Sequence, residues 1–279
     1  IDDTNPEKAK KEYYDGIYED FLWLGIAPDK TVIASQEMET FYKYAKKLIE
    51  KERAYVCFCD KEKVSAYRTK AKICEHRTQA ISKNLHLWEE MLEKKYKPGE
   101  ATLRLVGEID STNATMRDPV LFRIVKATHP FTKDKYSVWP TYDFETSIGE
   151  EITGVTHILR SIEFGMMRVE LQNYIKELLG FKKQDVLQYG RISIHGYEMQ
   201  GRILKEKIEK KEVTGWDDPR LMTLKALRRR GILPETFYEL TLEVGLSPTE
   251  TNLDWSQVAA INRKIIDPTT KRYFTFSAG

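Results

Sequence analysis

The sequence predicts an α/β fold interrupted by an α+β segment and completed by helices, on three observations. Ile1-Asp2-Asp3-Thr4-Asn5-Pro6 has the form of a strand end running straight into a helix, with a second amphipathic helix behind it. From Ala54 the texture changes to short strand-like runs around a cysteine-bearing turn. From about Trp139 strands and helices alternate again, and the stretch from Lys205 to Asn262 is mostly helical.

Taken in order, Asn5 is a good N-cap and Pro6 suits a first helical position. Tyr14, Ile17, Tyr18, Phe21 and Leu22 then follow at i, i+3, i+4, i+7 and i+8, and Gly25 stops the helix. A second helix is expected from near Ser35 to near Arg53, burying Met38, Phe41, Tyr42, Ala45, Leu48 and Ile49. Beyond it come a helical stretch from Leu85 to Leu92 and strand-like runs over 101–109 and 120–125. A strand near Trp139 to Phe144 is expected to deliver TYDF, and another to end at Tyr189-Gly190-Arg191-Ile192-Ser193. In the last part Asp217, Asp218 and Pro219 read as caps, and Gly231 and Gly245 as stops.

At 279 residues, 41% hydrophobic and 32% charged, the chain can bury a real core and divide into more than one unit. The 45 basic and 43 acidic residues nearly cancel, so a polyanion partner would have to be met by local patches. No apolar run approaches the ~20 residues needed to span a bilayer, and the first residues lack the pattern of a signal peptide, so a cytoplasmic protein is expected. Cys57, Cys59 and Cys74 fall within 18 residues, an odd and clustered set that points to metal and away from a disulfide framework. Cys57-Phe58-Cys59 and Cys74-Glu75-His76 offer three thiolates and an imidazole across a polar 14-residue loop, which suits a tetrahedral structural Zn2+ site. Small buried cysteines are the alternative, and C-x-C is tighter than the usual C-x2-C.

Seven strings occur together: DDTNP (2–6), MRDPVLFRI (116–124), WPTYDF (139–144), GVTHILR (154–160), GWDDPR (215–220), LRRRGI (227–232) and NRKIIDP (262–268). In order and spacing they resemble the glutamyl/glutaminyl branch of class I aminoacyl-tRNA synthetases, specifically the archaeal/eukaryotic type of glutamyl enzyme, along essentially the whole chain. The resemblance implies a Rossmann-type parallel sheet in two parts (1–54 and 140–193) split by an acceptor-stem-binding insertion (55–139) that carries the zinc site. A signature loop and helical stem-contact domain (194–267) would follow, then the start of the anticodon-binding β-barrel region (268–279). The implied activity is ligation of glutamate to tRNA(Glu) with ATP and Mg2+, through glutamyl adenylate; no membrane or DNA partner is implied.

By that resemblance Asp2 takes the substrate ammonium, although Asp2 and Asp3 could equally cap the following helix. Arg160 would bind the γ-carboxylate, since a guanidinium offers two parallel hydrogen bonds that select glutamate over its amide; without the resemblance it reads as a helix end or a surface ion pair. Tyr142, beside Asp143, would donate to the substrate side chain. Ser161 would lie near the ribose, and Arg191 and Ile192 would read adenine. Lys205, Lys207, Lys210 and Lys211, with Arg228, Arg229 and Arg230, would meet phosphates of the tRNA, where otherwise they form a solvated face.

The chain departs from the family's pattern at three places. None of its histidines (76, 86, 129, 157, 195) forms an H-x-G-H signature, which is expected upstream of Ile1. The second signature, usually like MSKR, falls 16 residues before the glycine of GWDDPR, on Met199-Gln200-Gly201-Arg202. Loss of its lysine removes an electrostatic contact of a kind that typically contributes ~3–4 kcal/mol to catalysis; Arg202 could substitute, or the chain could be a degenerate paralogue that binds tRNA or an adenylate-like ligand without activating it. Glu145 stands where the family more often has a small residue, adding a carboxylate beside a pocket meant for an anion.

Overall fold

The computed structural model describes residues 1–276. In chain order the elements are α1 (Lys11–Trp23), α2 (Met38–Glu50), β1 (Ala54–Cys57), α3 (Lys61–Thr69), α4 (Ile81–Leu92), β2 (Thr102–Leu105), β3 (Val120–Ile124), β4 (Val138–Pro140), α5 (Tyr142–Thr153) and β5 (His157–Ser161). They continue with α6 (Gly165–Leu179), β6 (Asp185–Tyr189), β7 (Ile192–Ile194), α7 (Gly201–Glu209), α8 (Leu224–Arg229), α9 (Pro234–Val244), β8 (Thr251–Leu253) and α10 (Trp255–Ile266). Two compact units divide the chain: residues 1–15, 28–160 and 164–187 form the first, and 16–27, 161–163 and 188 onward the second. The expected boundaries at 54 and 139 therefore fall inside one compact unit.

In the first unit β1, β2, β3 and β4 make an antiparallel sheet in that order. Its apolar side packs on α2 and α4, whose Met38, Phe41, Ala45, Leu48, Trp88 and Met91 are buried at the spacing the sequence predicts. Phe122 sits at the centre, with ring centroids 5.1 Å from Trp88 and 4.9 Å from Phe144. Burying each such side chain contributes about 1.5–3 kcal/mol. Beyond the sheet, β5 pairs with β6. Ile1 also bonds to its neighbour segment, its amino group donating to the Val32 carbonyl at 2.6 Å and its carbonyl accepting from Ala34 N–H at 3.0 Å.

Two aspartates of the sequence strings fold the loops around this sheet. Asp118, 1% exposed, accepts from Gly107 N–H (2.8 Å) and Tyr55 O–H (3.1 Å) and pairs with Arg77 (3.2 Å). A Cβ at Gly107 would lie 2.0 Å from the Met116 carbonyl oxygen, so only glycine admits this approach. Asp3 is likewise buried; its carboxylate accepts from Ser35 N–H (2.7 Å), Ser35 O–H (2.6 Å) and Tyr14 O–H (2.7 Å). Fully buried His129 closes that node: its Nδ1 accepts from Phe131 N–H (3.2 Å) and Thr132 N–H (3.3 Å), which leaves Nε2 to donate to Asp3 (3.2 Å to the carbonyl, 3.3 Å to the carboxylate).

The second unit is built on a parallel pair, β7 with β8, in register Ile192↔Thr251 to Ile194↔Leu253. Ile194, Met222, Leu227, Ile232, Leu240, Leu253 and Val258 form its core. Asp254 and Gln257 form a reciprocal cap at the start of α10. A Cβ at Gly190 would meet the Thr249 carbonyl oxygen at 1.9 Å, and this glycine breaks the expected single strand into β6 and β7.

The structure departs from the sequence reading at several elements. Asn5 and Pro6 open a turn, and α1 begins only at Lys11. Of its apolar stripe only Tyr14 is buried; Ile17, Tyr18, Phe21 and Leu22 are exposed. Tyr142, Asp143 and Phe144 form the first turn of α5 and not a strand: β4 ends at Pro140, and the last bond to β3 runs from Thr141 N–H to the Leu121 carbonyl at 2.8 Å. The polar segment between the cysteine pairs forms α3, capped by Asp60, which accepts from Lys63 N–H at 2.7 Å. Thr223, not Asp217 or Asp218, caps α8. Asp218 instead accepts from Thr214 N–H (2.9 Å), Arg220 N–H (3.0 Å) and the Arg220 guanidinium (2.8 Å), which holds its carboxyl well below the usual carboxylate range. Residues 277–279 of the expected barrel region lie outside the described residues.

Burial lowers the His129 pKa below 6.5, so the unfolded chain takes up the proton first. The contribution of His129 is complete above pH ~6.5 and is lost on acidification toward the folded value. In urea titrations His129→Gln is expected to cost about 1–3 kcal/mol at pH 8, and the gap to the wild type should narrow at pH 5. A gap constant from pH 8 to 5 would show that this histidine does not titrate with unfolding.

Candidate active site and metal centre

Asp2, Tyr142, Glu145 and Glu150 line one cavity of about 360 Å³ in the first unit, together with Ala34 and Ile158. Each is carried there by a different local device. Asp2 is exposed, and its Oδ1 accepts from Thr4 N–H (3.0 Å) and Thr4 O–H (2.8 Å), which fixes the carboxylate at the mouth. Tyr142 and Glu145 are one turn apart on α5, so they share a face. The Tyr142 ring stacks on Phe164 with centroids 4.8 Å apart, and burial raises its phenol pKa.

Arg160 lies on the same side of β5 as Ile158, two residues back, but it is 4% exposed and does not line the cavity. Its two Nη atoms donate to the carboxylate of Glu150 and the amide oxygen of Gln172. Glu150 also accepts from buried Lys176 at 2.5 Å, and Lys176 donates to Gln184 at 2.6 Å. Gln172 in turn donates to Asp143 at 3.1 Å, where Arg168 joins at 2.7 Å. The structure thus brings Asp2 and Tyr142 together and sets Arg160, buried and paired with Glu150 and Gln172, outside the cavity wall.

Glu150, Gln172 and Lys176, which pair with Arg160 or with its partner, are residues of the candidate site that the sequence reading missed. A signal was present: Asp143, Ser147 and Glu150 fall at i, i+4 and i+7 on the stripe next to buried Phe144 and Ile148, and Gln172 and Lys176 at i and i+4 beside Leu171 and Ile175. Polar residues on a buried helical stripe need partners there. Glu145 is different. Among the described residues its carboxyl accepts only from Thr146 O–H (3.1 Å), and burial, reinforced by the charge of Asp2, raises its pKa to about 8.

The nucleotide and RNA candidates belong to the second unit, apart from Asp2, Tyr142 and Arg160. Arg191 pairs with Glu163 at 3.1 Å, Ile192 begins β7, and Ser161 ends β5. Met199 packs on the core and Gln200 precedes α7, with Gly201 and Arg202 exposed in its first turn. Lys205 pairs with Glu209 (3.7 Å) and Arg229 with Asp217 (3.2 Å). Arg230 stacks over the Trp255 ring at 3.9 Å, a packing role. Among the described residues Lys207, Arg202 and Arg228 stand in no ion pair.

Cys57, Cys59, Cys74 and His76 converge at the end of β1, the four ligand atoms lying within 4.8 Å of one another. Cys74 Sγ is 3.6 Å from Cys57 Sγ and 3.5 Å from Cys59 Sγ, and His76 Nδ1 is 3.2 to 3.8 Å from the three sulfurs. Such separations match the ~3.7 Å edge of a tetrahedron around zinc with ~2.3 Å Zn–S bonds. Burial pushes the Cys59 thiol up to about 12 and raises Cys74, so these two thiols need a cation to become thiolates. Arg104 donates to Cys57 Sγ at 3.7 Å and ties the site to the sheet. These four residues could hold a zinc ion whose role is to join α3 and the Cys74 turn to β1.

The family described as tRNA synthetases class I (E and Q), catalytic domain, matches residues 1–268. The glutamate–tRNA ligase of Pyrococcus horikoshii is 43% identical over 98% of this chain and 48% of its own length. That of Korarchaeum cryptofilum is 41% identical over 98% of this chain and 50% of its own. The chain therefore spans about half the length of the relatives it matches. A crystal structure of a glutamate tRNA ligase from Elizabethkingia meningosepticum, in complex with its amino acid, superimposes with a TM-score of 0.66 at 16% identity, covering 96% of this chain and 62% of that one. A glutamate-tRNA synthetase structure from Elizabethkingia anophelis gives 0.64. These likenesses show the class I synthetase fold.

Elemental analysis of the purified protein should find about one zinc per chain. Cys59→Ser should lower the zinc content and reduce the melting temperature, and zinc-free wild-type protein of unchanged melting temperature would count against the site. Because burial raises the Glu145 pKa to about 8, its contribution to stability is complete below pH ~4.5 and lost as pH rises toward 8, so Glu145→Gln should leave the melting temperature unchanged at pH 4 and raise it at pH 9.

Proposed function

Because this chain belongs to the class I tRNA synthetases of the glutamyl/glutaminyl family, we propose that it activates glutamate with ATP and transfers it to tRNA(Glu). The observation that carries the reading is one cavity lined by Asp2 and Tyr142, with Arg160 two residues beyond the Ile158 wall on the same strand face. In this mechanism Asp2 accepts the substrate ammonium and Tyr142 donates to its side chain. Arg160 takes the γ-carboxylate in place of Gln172, a neutral partner that costs less to displace than Glu150. ATP enters with Mg2+ as substrate. The α-carboxylate oxygen attacks the α-phosphorus and pyrophosphate leaves. A terminal ribose hydroxyl of the tRNA then attacks the acyl carbon and AMP leaves.

The remaining roles are proposed for the second unit. Ser161 would hold the ribose, and the backbone of Arg191 and Ile192 would read adenine. Arg202, exposed and in no ion pair among the described residues, is the cation available to the pyrophosphate where Gln200 and Gly201 replace the usual serine and lysine. Lys207 and Arg228, with Lys205, Arg229 and Arg230 flanking them, would contact tRNA phosphates. The zinc ion is structural in this reading and takes no part in the chemistry. The alternative, a paralogue that binds tRNA or an adenylate-like ligand without activating it, is favoured by the altered loop at 199–202 and by the closed pairing of Arg160 with Glu150.

Glutamate-dependent ATP/pyrophosphate exchange, with tRNA(Glu) present and glutamine as control, tests the proposal. Exchange with glutamate alone, lost on Arg160→Gln and reduced about 10²-fold on Arg202→Ala, is expected. No exchange, even after Gln200→Ser and Gly201→Lys in the full-length protein, would leave the non-activating paralogue.

A further inference from the structure

We propose that Arg104 is the counter-ion of the metal centre, a positioning residue whose guanidinium balances the charge of the metal-bound thiolates and holds the Cys57 sulfur in place. This inference rests on the reading of Cys57, Cys59, Cys74 and His76 as a zinc site, and it concerns a residue outside that set. Strand register carries the guanidinium there. Tyr55 of β1 is paired with Arg104 of β2, and Cys57 follows Tyr55 by two residues, so the three side chains leave the sheet on one face. Their neighbours Ala54, Val56, Leu103 and Leu105 point the other way, into the core beneath α2 and α4.

Arg104 is fully buried, and none of its partners is a carboxylate. Its Nη1 donates to Cys57 Sγ at 3.7 Å, its Nε donates to the Asp118 carbonyl at 3.0 Å, and its guanidinium carbon lies 5.5 Å from the centroid of the Tyr55 ring. Among the described residues the buried lysines and arginines are Arg104, Arg160 and Lys176. Arg160 and Lys176 share Glu150, whereas Arg104 stands in no ion pair. The Asp118 carboxylate is nearby but committed, one oxygen to Gly107 N–H (2.8 Å) and the other to Tyr55 O–H (3.1 Å) and Arg77 (3.2 Å).

A guanidinium withdrawn from water needs an anion, and the centre supplies one. Zn2+ held by three thiolates and a neutral imidazole keeps one net negative charge. The guanidinium donates to one of those sulfurs, and a charge-assisted bond to a ligand atom both orients it and offsets its charge. Lys63 is the other cation close to the sulfurs, but it is exposed and paired with Glu75 at 3.0 Å, so water and that carboxylate screen it. The link extends beyond the centre. Arg104 also holds the Asp118 carbonyl, and Asp118 fixes the turn at Gly107. Removing the metal takes away the anion that keeps Arg104 in this position and thereby loosens that turn.

Two readouts on the purified protein test the assignment: zinc affinity by competition with a chromophoric chelator, and the sulfur-to-metal charge-transfer band after loading with Co2+. Arg104→Met should lower zinc affinity about 10- to 100-fold and shift the band, while Arg104→Lys and the control Lys63→Met should stay within about threefold of the wild type. A second measurement needs no variant. When a chelator strips the wild type, the Gly107 amide, which donates to Asp118, should exchange with solvent at least about tenfold faster while the amides of α6 keep their protection. Wild-type affinity in Arg104→Met, or equal losses in Arg104→Met and Arg104→Lys, would overturn the charge role and leave the zinc site standing. Faster exchange confined to α3 and the Cys74 turn would do the same. A wild type that takes up neither zinc nor cobalt would overturn both readings.

Discussion

The carboxylate of Glu150 holds α5, β5 and α6 of the first unit together, because it sits between two buried cations, Arg160 and Lys176, that come from β5 and α6. A guanidinium and an ammonium withdrawn from water are tolerated only when paired and hydrogen-bonded. Glu150 supplies the charge, and Gln172 and Gln184 each occupy one further donor. Removing Glu150 would leave two unpaired charges inside. The guanidinium proposed to select a carboxylate already holds one, so in that proposal selectivity would come from an exchange of partners.

The neighbouring cavity has the opposite balance. Asp2 stands at its mouth, Glu145 lies on its wall with its proton retained at neutral pH, and no lysine or arginine lines it. This suits an ammonium at the outer end of the substrate. The acidic side chain must reach past Tyr142 toward Arg160 for the proposed orientation to hold.

Loops in both units are organised by aspartates that accept backbone N–H groups. Asp3 gathers Ser35, Tyr14 and His129; Asp118 gathers Gly107, Tyr55 and Arg77; Asp218 gathers Thr214 and Arg220. All three belong to the strings DDTNP, MRDP and GWDDPR that carry the family resemblance. Much of that resemblance therefore encodes loop geometry, since a carboxylate with several donors fixes a turn more firmly than any local propensity. Two residues of the candidate cavity then ride on what those loops fix: Asp2 next to Asp3, and Tyr142 two residues after β4.

By itself the sequence determined the family, the order of helices and strands through α2, α4, β2 and β3, the two cysteine pairs and the altered loop at Met199 to Arg202. Those features are local: helical periodicity, short ligand spacings and strings whose residues are contiguous. It could not determine that Tyr142 starts a helix, that α1 leaves most of its apolar stripe exposed, or that Arg160 is already paired. Each of these depends on partners far along the chain, the sheet neighbours of β4 and the carboxylate of Glu150 among them. Whether a charged side chain faces a ligand or an internal counter-ion is a question of burial, and burial is decided only when α5, β5 and α6 have packed together.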